Sequence, residues 1–329
     1  MVHQIINQLK FSFDEGLDVK GQLSIAALFP KSQKRCGIYL LQFSNDTFYI
    51  GQAIDAVKRF CQHRKNHDNI IRFWFQNIDK EQLDALEKLL IHQAESQGLL
   101  LTNKVHISQI IGETDLDQII APDLQFAWLE ENATLSNDGF DLYKTIDIQH
   151  IVKYQSNFEK LKTFPEYPSV KQLLKIYIEN CLPAFKKTEQ TFWSLSCLPA
   201  TNQHTFPRYF GLSINMMEVF VVGYNKKTKE PFCFLNTSQR FFDNDDEGIY
   251  FDSLFEKYST LEYVESTYRA AGADQIQFHF QNFQECEQFL LSENNMIDSI
   301  KELNLRLMLK GSTNYAPFHC FDLVKDVLS

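Results

Sequence analysis

Six polar side chains in the first third of the chain have the types and the spacing of a hydrolytic site. They are Tyr39, Tyr49, Arg59, His63, Glu87 and Asn103. An arginine can bind a phosphate through its planar guanidinium, and a histidine can accept a proton near neutral pH. A carboxylate can hold a hard divalent cation. If the fold brings them together, these groups supply what hydrolysis of a phosphodiester requires.

The two tyrosines are predicted to lie on one β-hairpin. Apolar, aromatic-rich runs at residues 37–43 and 47–51 flank the polar turn at residues 44–46, which is the pattern of two short strands around a tight turn. Because side chains alternate between the faces of a strand, Tyr39 and Tyr49 can share one face. A third strand is predicted at residues 70–76.

Two helices are predicted to carry the other charged groups. Asp55 is a candidate N-cap, and Arg59 and His63 are four residues apart, so they share one helix face. A second helix is predicted over residues 80–97, with Glu87 among its apolar positions. The chain then returns to the core and reaches the amide of Asn103.

Residues 33–111 resemble the GIY-YIG nuclease superfamily. The family is named for two triplets, which here are Gly37-Ile38-Tyr39 and Tyr49-Ile50-Gly51. The resemblance implies a small three-stranded antiparallel sheet with flanking helices, and catalytic roles for the six residues named above. It also implies an Mg²⁺ (or Mn²⁺) cofactor with Glu87 as the metal ligand.

The identity of the general base stays open between two residues. In the resembled family the tyrosine of the second triplet, here Tyr49, is the proposed base. Many members also carry a lysine just after that triplet, which would lower the pKa of the tyrosine. Here the corresponding residues are Gln52 and Ala53. This departure favours His63 as the base.

Basic residues are concentrated around these motifs. The 329-residue chain has a formal net charge of −10, but residues 31–72 hold 8 Lys and Arg against 3 Asp and Glu, a net charge of +5. A local basic patch of this kind can bind phosphates even on an acidic protein. The residues expected to contact nucleic acid are Lys58, Arg64, Lys65 and Arg72.

The length of the chain predicts more than one domain. We expect an N-terminal extension at residues 1–32, the nuclease-like domain at 33–112, a linker or helical connector at 113–164, and a second α+β domain at 165–329. The second domain resembles no family. Its acidic, aromatic composition suits target recognition, regulation or a homodimer interface.

Composition predicts a cytoplasmic protein without membrane contact. No apolar run reaches the 18 or so residues of a membrane span, and the first residues lack the pattern of a signal peptide. The seven cysteines form no CxxC pair, so we expect reduced, buried thiols.

The function expected from the sequence is a metal-dependent endonuclease that hydrolyses nucleic acid, with DNA favoured over RNA. Restriction, phage defence, repair and mobile elements are contexts in which the resembled family works. The alternative is a catalytically inactive fold that only binds nucleic acid or a protein partner.

Overall fold

The computed structural model describes residues 16–29, 32–103, 106–107, 113–138, 146–239, 249–264, 268, 270–272 and 274–329. The chain forms two compact units, Met1–Gly112 and Glu113–Ser329. Each contains one antiparallel sheet with helices, so the expected α+β class is confirmed. Within these described residues, no helix combines the length and apolar character that crossing a membrane requires.

The sheet of the first unit has four strands. They are β1 (Leu17–Asp18), β2 (Gly37–Phe43), β3 (Phe48–Ala53) and β4 (Ile70–Asn77), in the spatial order β1-β4-β2-β3. The expectation of three strands was therefore wrong by one. Strand β1 belongs to the N-terminal extension and pairs with β4. Two residues are too short to produce the alternating pattern by which strands are recognised in a sequence.

Helices cover both faces of this sheet. Helix α1 (Ala56–Asn66) buries Ala56, Val57 and Phe60 in a core with one face, and α2 (Leu83–Ser96) buries Leu83, Leu90 and Ile91 in a core with the other. A short 3-10 turn at Lys80–Gln82 precedes α2. Because β3 is an edge strand, groups from both faces can approach each other around it.

The second unit contains a six-stranded sheet, ordered β5-β6-β7-β8-β10-β9. Its strands are β5 (Trp193–Cys197), β6 (Arg208–Ile214), β7 (Met217–Tyr224), β8 (Pro231–Ser238), β9 (Glu262–Val264) and β10 (Gln275–Phe280). Strands β6 and β7 follow each other closely along the chain. Asn215 turns the chain between them with φ +52°, a conformation that asparagine tolerates better than most residues.

Nine helices are described in the second unit, α3 to α11. Their bounds are Pro122–Glu130, Ile148–Ile151, Gln155–Lys162, Tyr167–Cys181, Phe185–Thr188, Ile249–Lys257, Phe283–Ser292, Asn294–Leu309 and Phe321–Val327. There are also 3-10 turns at Asp115–Gln118, Val152–Tyr154 and Ala316–Phe318. Helices α6, α9 and α10 pack on one face of the sheet and bury its apolar side chains.

Candidate functional site

Tyr39 is the centre of the polar cluster in the first unit. It lies on β2 and is 1% exposed. Its ring stacks on Phe73, with centroids 6.0 Å apart, and on Tyr49, with centroids 6.1 Å apart. The prediction that the two tyrosines share one face of the hairpin is therefore confirmed. His63 contacts both rings, at centroid distances of 5.6 Å from Tyr39 and 4.8 Å from Tyr49.

The two triplet glycines make close approaches that a side chain would block. Gly51 lies directly opposite Tyr39 in the β2–β3 ladder. A Cβ at Gly51 would lie 2.5 Å from Tyr39 Oη, and one at Gly37 would overlap the backbone oxygen of Gln76. Gly51 therefore lets the phenol of Tyr39 extend across the edge strand, while Gly37 lets β2 and β4 pair closely.

Helix α1 brings two of the predicted residues to the hydroxyl of Tyr39. Asp55 caps the helix by accepting hydrogen bonds from the backbone N–H groups of Val57 and Lys58. One turn into the helix, Arg59 Nε donates to Tyr39 Oη at 3.2 Å, and one turn later His63 Nε2 lies 2.8 Å from the same oxygen. The sequence-predicted pair thus meets the first tyrosine.

Burial and neighbouring charges fix the protonation states of these groups. Burial, together with the Arg59 charge and His67, lowers the pKa of His63 to about 4. His63 is therefore neutral near pH 7 and can accept a proton. Burial raises the pKa of Tyr39 well above its usual range, and the hydrogen bond from Arg59 does not offset this. The Tyr39 phenol consequently keeps its proton near neutral pH.

Glu87 lies on α2 and is oriented by a residue of the edge strand. The side-chain amide of Gln52 donates to Glu87 Oε2 at 2.8 Å and to Asp84 Oδ1 at 2.5 Å. Gln52 occupies the position after the second triplet at which the resembled family often has lysine. Burial is the main cause that raises the pKa of Tyr39, and the Glu87 charge is the smallest one.

Asp84 is a second carboxylate that the sequence reasoning missed. It precedes Glu87 by three residues on α2, and this spacing places two side chains on one helix face. The helical spacing was therefore a signal that could have found it. Among the residues that the structure describes, no group of three or more His, Cys, Asp or Glu has the arrangement of a metal site.

Asn103 holds the backbone of β3 in place. It is 6% exposed, its Nδ2 donates to the Ile50 carbonyl at 2.7 Å, and its Oδ1 accepts from the Ile50 N–H at 3.0 Å. Both hydrogen bonds fall on the residue between Tyr49 and Gly51. Asn103 therefore positions the second triplet through the main chain.

Comparison with known proteins gave no match. Models of protein families, curated proteins and solved structures were all compared with this chain, and none matched.

The four predicted phosphate-binding residues differ in their exposure. Lys58 and Lys65 are exposed on α1, and Arg72 is half-buried on β4. Arg64 is 9% exposed, and its guanidinium donates to the carbonyls of Val19, Asp68 and Ile70. Because Nη1 and Nη2 of Arg64 donate to carbonyls inside the unit, Arg64 is less suited to a phosphate contact than the exposed lysines.

Proposed function

We propose that the first unit hydrolyses phosphodiester bonds of nucleic acid as a metal-dependent, GIY-YIG-type endonuclease. The observation that carries the proposal is the meeting of Arg59 and His63 at the hydroxyl of Tyr39, in the unit whose helix α2 also carries Glu87. A charged fork and a neutral base at one hydroxyl, with a carboxylate on the other helix of the same unit, are components of hydrolysis at a phosphate.

Arg59 is the residue we assign to bind the scissile phosphate. Its side chain is exposed, while its Nε is held by Tyr39 and its Nη1 by Gln62 at 3.1 Å. A guanidinium that is fixed in this way loses little rotational freedom when it binds an anion. As charge builds on the phosphate oxygens, a fixed cation stabilises the transition state more than the ground state.

His63 is the group we assign as proton acceptor. It is neutral near pH 7 because its pKa is about 4, although a lowered pKa also makes the imidazole a weaker base. Because Nε2 is bonded to Tyr39 Oη, Nδ1 is the nitrogen we assign to accept the proton of an attacking water, with Nε2–H then donating to Tyr39 Oη. Tyr39 orients the imidazole ring through the 2.8 Å hydrogen bond. Tyr49 is the competing base, because its ring lies against the same imidazole.

Glu87 fits a single hard cation such as Mg²⁺ or Mn²⁺. Mg²⁺ is commonly bound through one or two carboxylates and keeps several of its waters. Glu87 is half-buried and held by the Gln52 amide, and Asp84 is held by the same amide. A cation bound there would act as a Lewis acid on the phosphate and the leaving oxygen. Gln52 maintains the direction of the carboxylate.

The nucleic acid partner is supported by the exposed lysines of α1. Lys58 and Lys65 are exposed on the helix that carries Arg59 and His63, so they add positive charge to the same element as the site. DNA is the substrate we propose to test first, with RNA as the second. Restriction, phage defence, repair and mobile elements are the proposed contexts.

The test is cleavage by the purified full chain. Supercoiled plasmid, single-stranded DNA and RNA are incubated with Mg²⁺, Mn²⁺ or EDTA. We expect metal-dependent cleavage, and Glu87→Ala should lower the rate about 10²- to 10³-fold. Glu81→Ala, which removes an exposed carboxylate next to the same helix, is the matched control and should cleave normally.

Two results would contradict the proposal. Equal cleavage by Glu87→Ala and Glu81→Ala would mean that Glu87 has no catalytic role. Saturable binding of nucleic acid without cleavage under any metal condition would instead support the inactive binding module as the function of this unit.

A further inference from the structure

Four small residues form a depression on the sheet of the second unit. In the β5–β6 ladder, Ser194 pairs with Ser213 and Ser196 pairs with Gly211. Alternate residues of β5, such as Trp193 and Leu195, point to the opposite face and are buried with the helices. Because none of the four has a side chain longer than serine, this face leaves a cavity of about 570 Å³. That volume lies within the usual range of small-ligand sites.

Aromatic rings stand at the wall of this cavity. Tyr315 and Phe318, in and beside the 3-10 turn, line it and are 36% and 53% exposed. Tyr154 lines it as well, and its hydroxyl donates to the Pro317 carbonyl at 3.2 Å. Exposed rings next to a pocket provide flat faces on which a planar ligand can stack.

The floor provides both hydrogen-bond donors and acceptors. Ser196 Oγ donates to the Gly211 carbonyl at 3.0 Å and keeps its lone pairs as acceptors, while Ser194 Oγ lies 3.4 Å from Thr313 Oγ1. The Ser213 hydroxyl, which also lines the cavity, can serve as donor or acceptor. Asn157 also lines the cavity, and its Nδ2 donates to the Cys197 carbonyl at 2.9 Å. Its amide oxygen remains available as an acceptor. A ligand with mixed donor and acceptor edges is therefore favoured over a purely apolar one.

The charges around the cavity suit a ligand with an anionic tail. Glu218 lines the floor, but its carboxylate is paired with the guanidinium of Arg208. Lys160, on α5, lines the cavity, is exposed, and has no ion pair within the part of the chain that the structure describes. An exposed ammonium at the rim can bind a phosphate as a point charge.

We propose that this cavity binds one nucleotide, with the base over the serine floor and the phosphate at Lys160. The nucleotide can be a free nucleoside monophosphate or one unpaired unit of a single strand, since both present a planar heterocycle with donor and acceptor edges and a phosphate. Reading a single base fits an acidic unit better than tracking a long phosphate backbone, because only one phosphate needs neutralisation. The inference does not depend on cleavage by the first unit.

The experiment measures equilibrium binding to the full chain carrying Glu87→Ala, in EDTA, so that catalysis does not contribute. The probes are the four ribonucleoside and four deoxyribonucleoside monophosphates, the matching nucleosides, ribose 5-phosphate, and a short single-stranded oligonucleotide with or without one abasic unit. We expect saturable binding of at least one monophosphate or of the intact oligonucleotide. Tight monophosphate binding identifies a free nucleotide as the ligand, and binding only of the intact oligonucleotide identifies a strand.

Variants separate this cavity from other nucleotide-binding surfaces. Ser196→Leu and Gly211→Val each place extra carbon atoms in the cavity, and each should weaken binding at least tenfold. A Cβ at Gly211 would lie 3.2 Å from the Ser196 hydroxyl and 3.5 Å from Glu218 Oε1, so this second variant requires the Ser196 side chain to shift. Thr228→Leu, a substitution of similar size at an exposed turn, should bind normally. Lys160→Ala should weaken the binding of monophosphates several-fold and leave the binding of nucleosides unchanged.

The proposal is overturned if none of the probes binds saturably. It is also overturned if both cavity-filling variants keep the wild-type melting temperature and bind with wild-type affinity. Should one variant fail to fold, the other and Lys160→Ala still decide the question. Cleavage of plasmid by the wild-type chain is measured separately, so that nucleotide binding by the second unit and cleavage by the first unit can be refuted independently.

Discussion

Gly51→Ala should disable the tyrosine cluster without unfolding the first unit. The new Cβ would lie 2.5 Å from Tyr39 Oη, 2.6 Å from Tyr39 Cζ and 2.7 Å from Tyr49 Cε1. Ordinary contacts begin at 3.4 Å, so the rings must withdraw by roughly 0.9 Å. Overpacking of this kind costs about 1–3 kcal/mol of stability. A misplacement near 1 Å costs about 10²-fold in rate where catalytic groups must be aligned.

The assay compares Gly51→Ala with Gly98→Ala. Gly98 follows the end of α2 with φ +81°, and a Cβ added there would meet no atom within 4 Å. Alanine at this position should therefore lower stability by about 1–2 kcal/mol, because of the left-handed backbone conformation and not because of a steric clash. Both variants should melt at a lower temperature, but only Gly51→Ala should lose about two orders of magnitude in plasmid cleavage. Similar cleavage by the two variants would refute the steric argument.

Three further predictions concern side chains inside the first unit. Because the pKa of His63 falls from an ordinary 6.5 to about 4 on folding, the unfolded chain binds more protons between these values, and the free energy of unfolding should fall as pH drops from 6.5 to 4. Urea titrations at pH 7 and 4.5 should show a smaller fall for His63→Gln; an equal fall would exclude His63 as a cause. Asn103→Leu leaves two buried backbone groups of Ile50 without partners and should cost about 2–4 kcal/mol in urea unfolding; a cost below 1 kcal/mol would refute this. Arg64→Ala should lower the free energy of unfolding by about 2–4 kcal/mol without changing the salt dependence of DNA binding. Lys65→Ala should instead reduce the slope of log affinity against log salt concentration by about 1. The reverse pattern would support Arg64 as a phosphate contact.

Local patterns in the sequence were sufficient to predict the hairpin and the helix that carry the site. The turn at residues 44–46 predicted the hairpin, and Asp55 predicted the start of α1. These features depend on the backbone preferences of a few consecutive residues, and such preferences do not require contacts with distant parts of the chain. The same regularity placed Tyr39 beside Tyr49, and Arg59 one turn before His63.

The orientation of Arg64 shows where a sequence signal was overlooked. Val57, Phe60 and Arg64 follow one another at helical spacing, so Arg64 continues the buried stripe of α1. Lys65, one residue later, is rotated by about 100° and is exposed. A count of basic residues does not distinguish Arg64 from Lys65, whereas helical periodicity assigns Arg64 to the buried face of α1 and Lys65 to the exposed face.

Only the tertiary structure decided the chemistry of the cluster. The sequence supplied a histidine with an ordinary pKa, whereas packing against two tyrosines and Arg59 lowered that pKa to about 4. The bond from Gln52 to Glu87 joins residues 35 positions apart, and the serine floor of the second unit pairs residues of two strands. Residue types and their local spacing can be read from the sequence alone. Burial of a side chain and hydrogen bonds between distant residues arise only when distant segments pack together, because the packed segment excludes water and supplies the bonding partner.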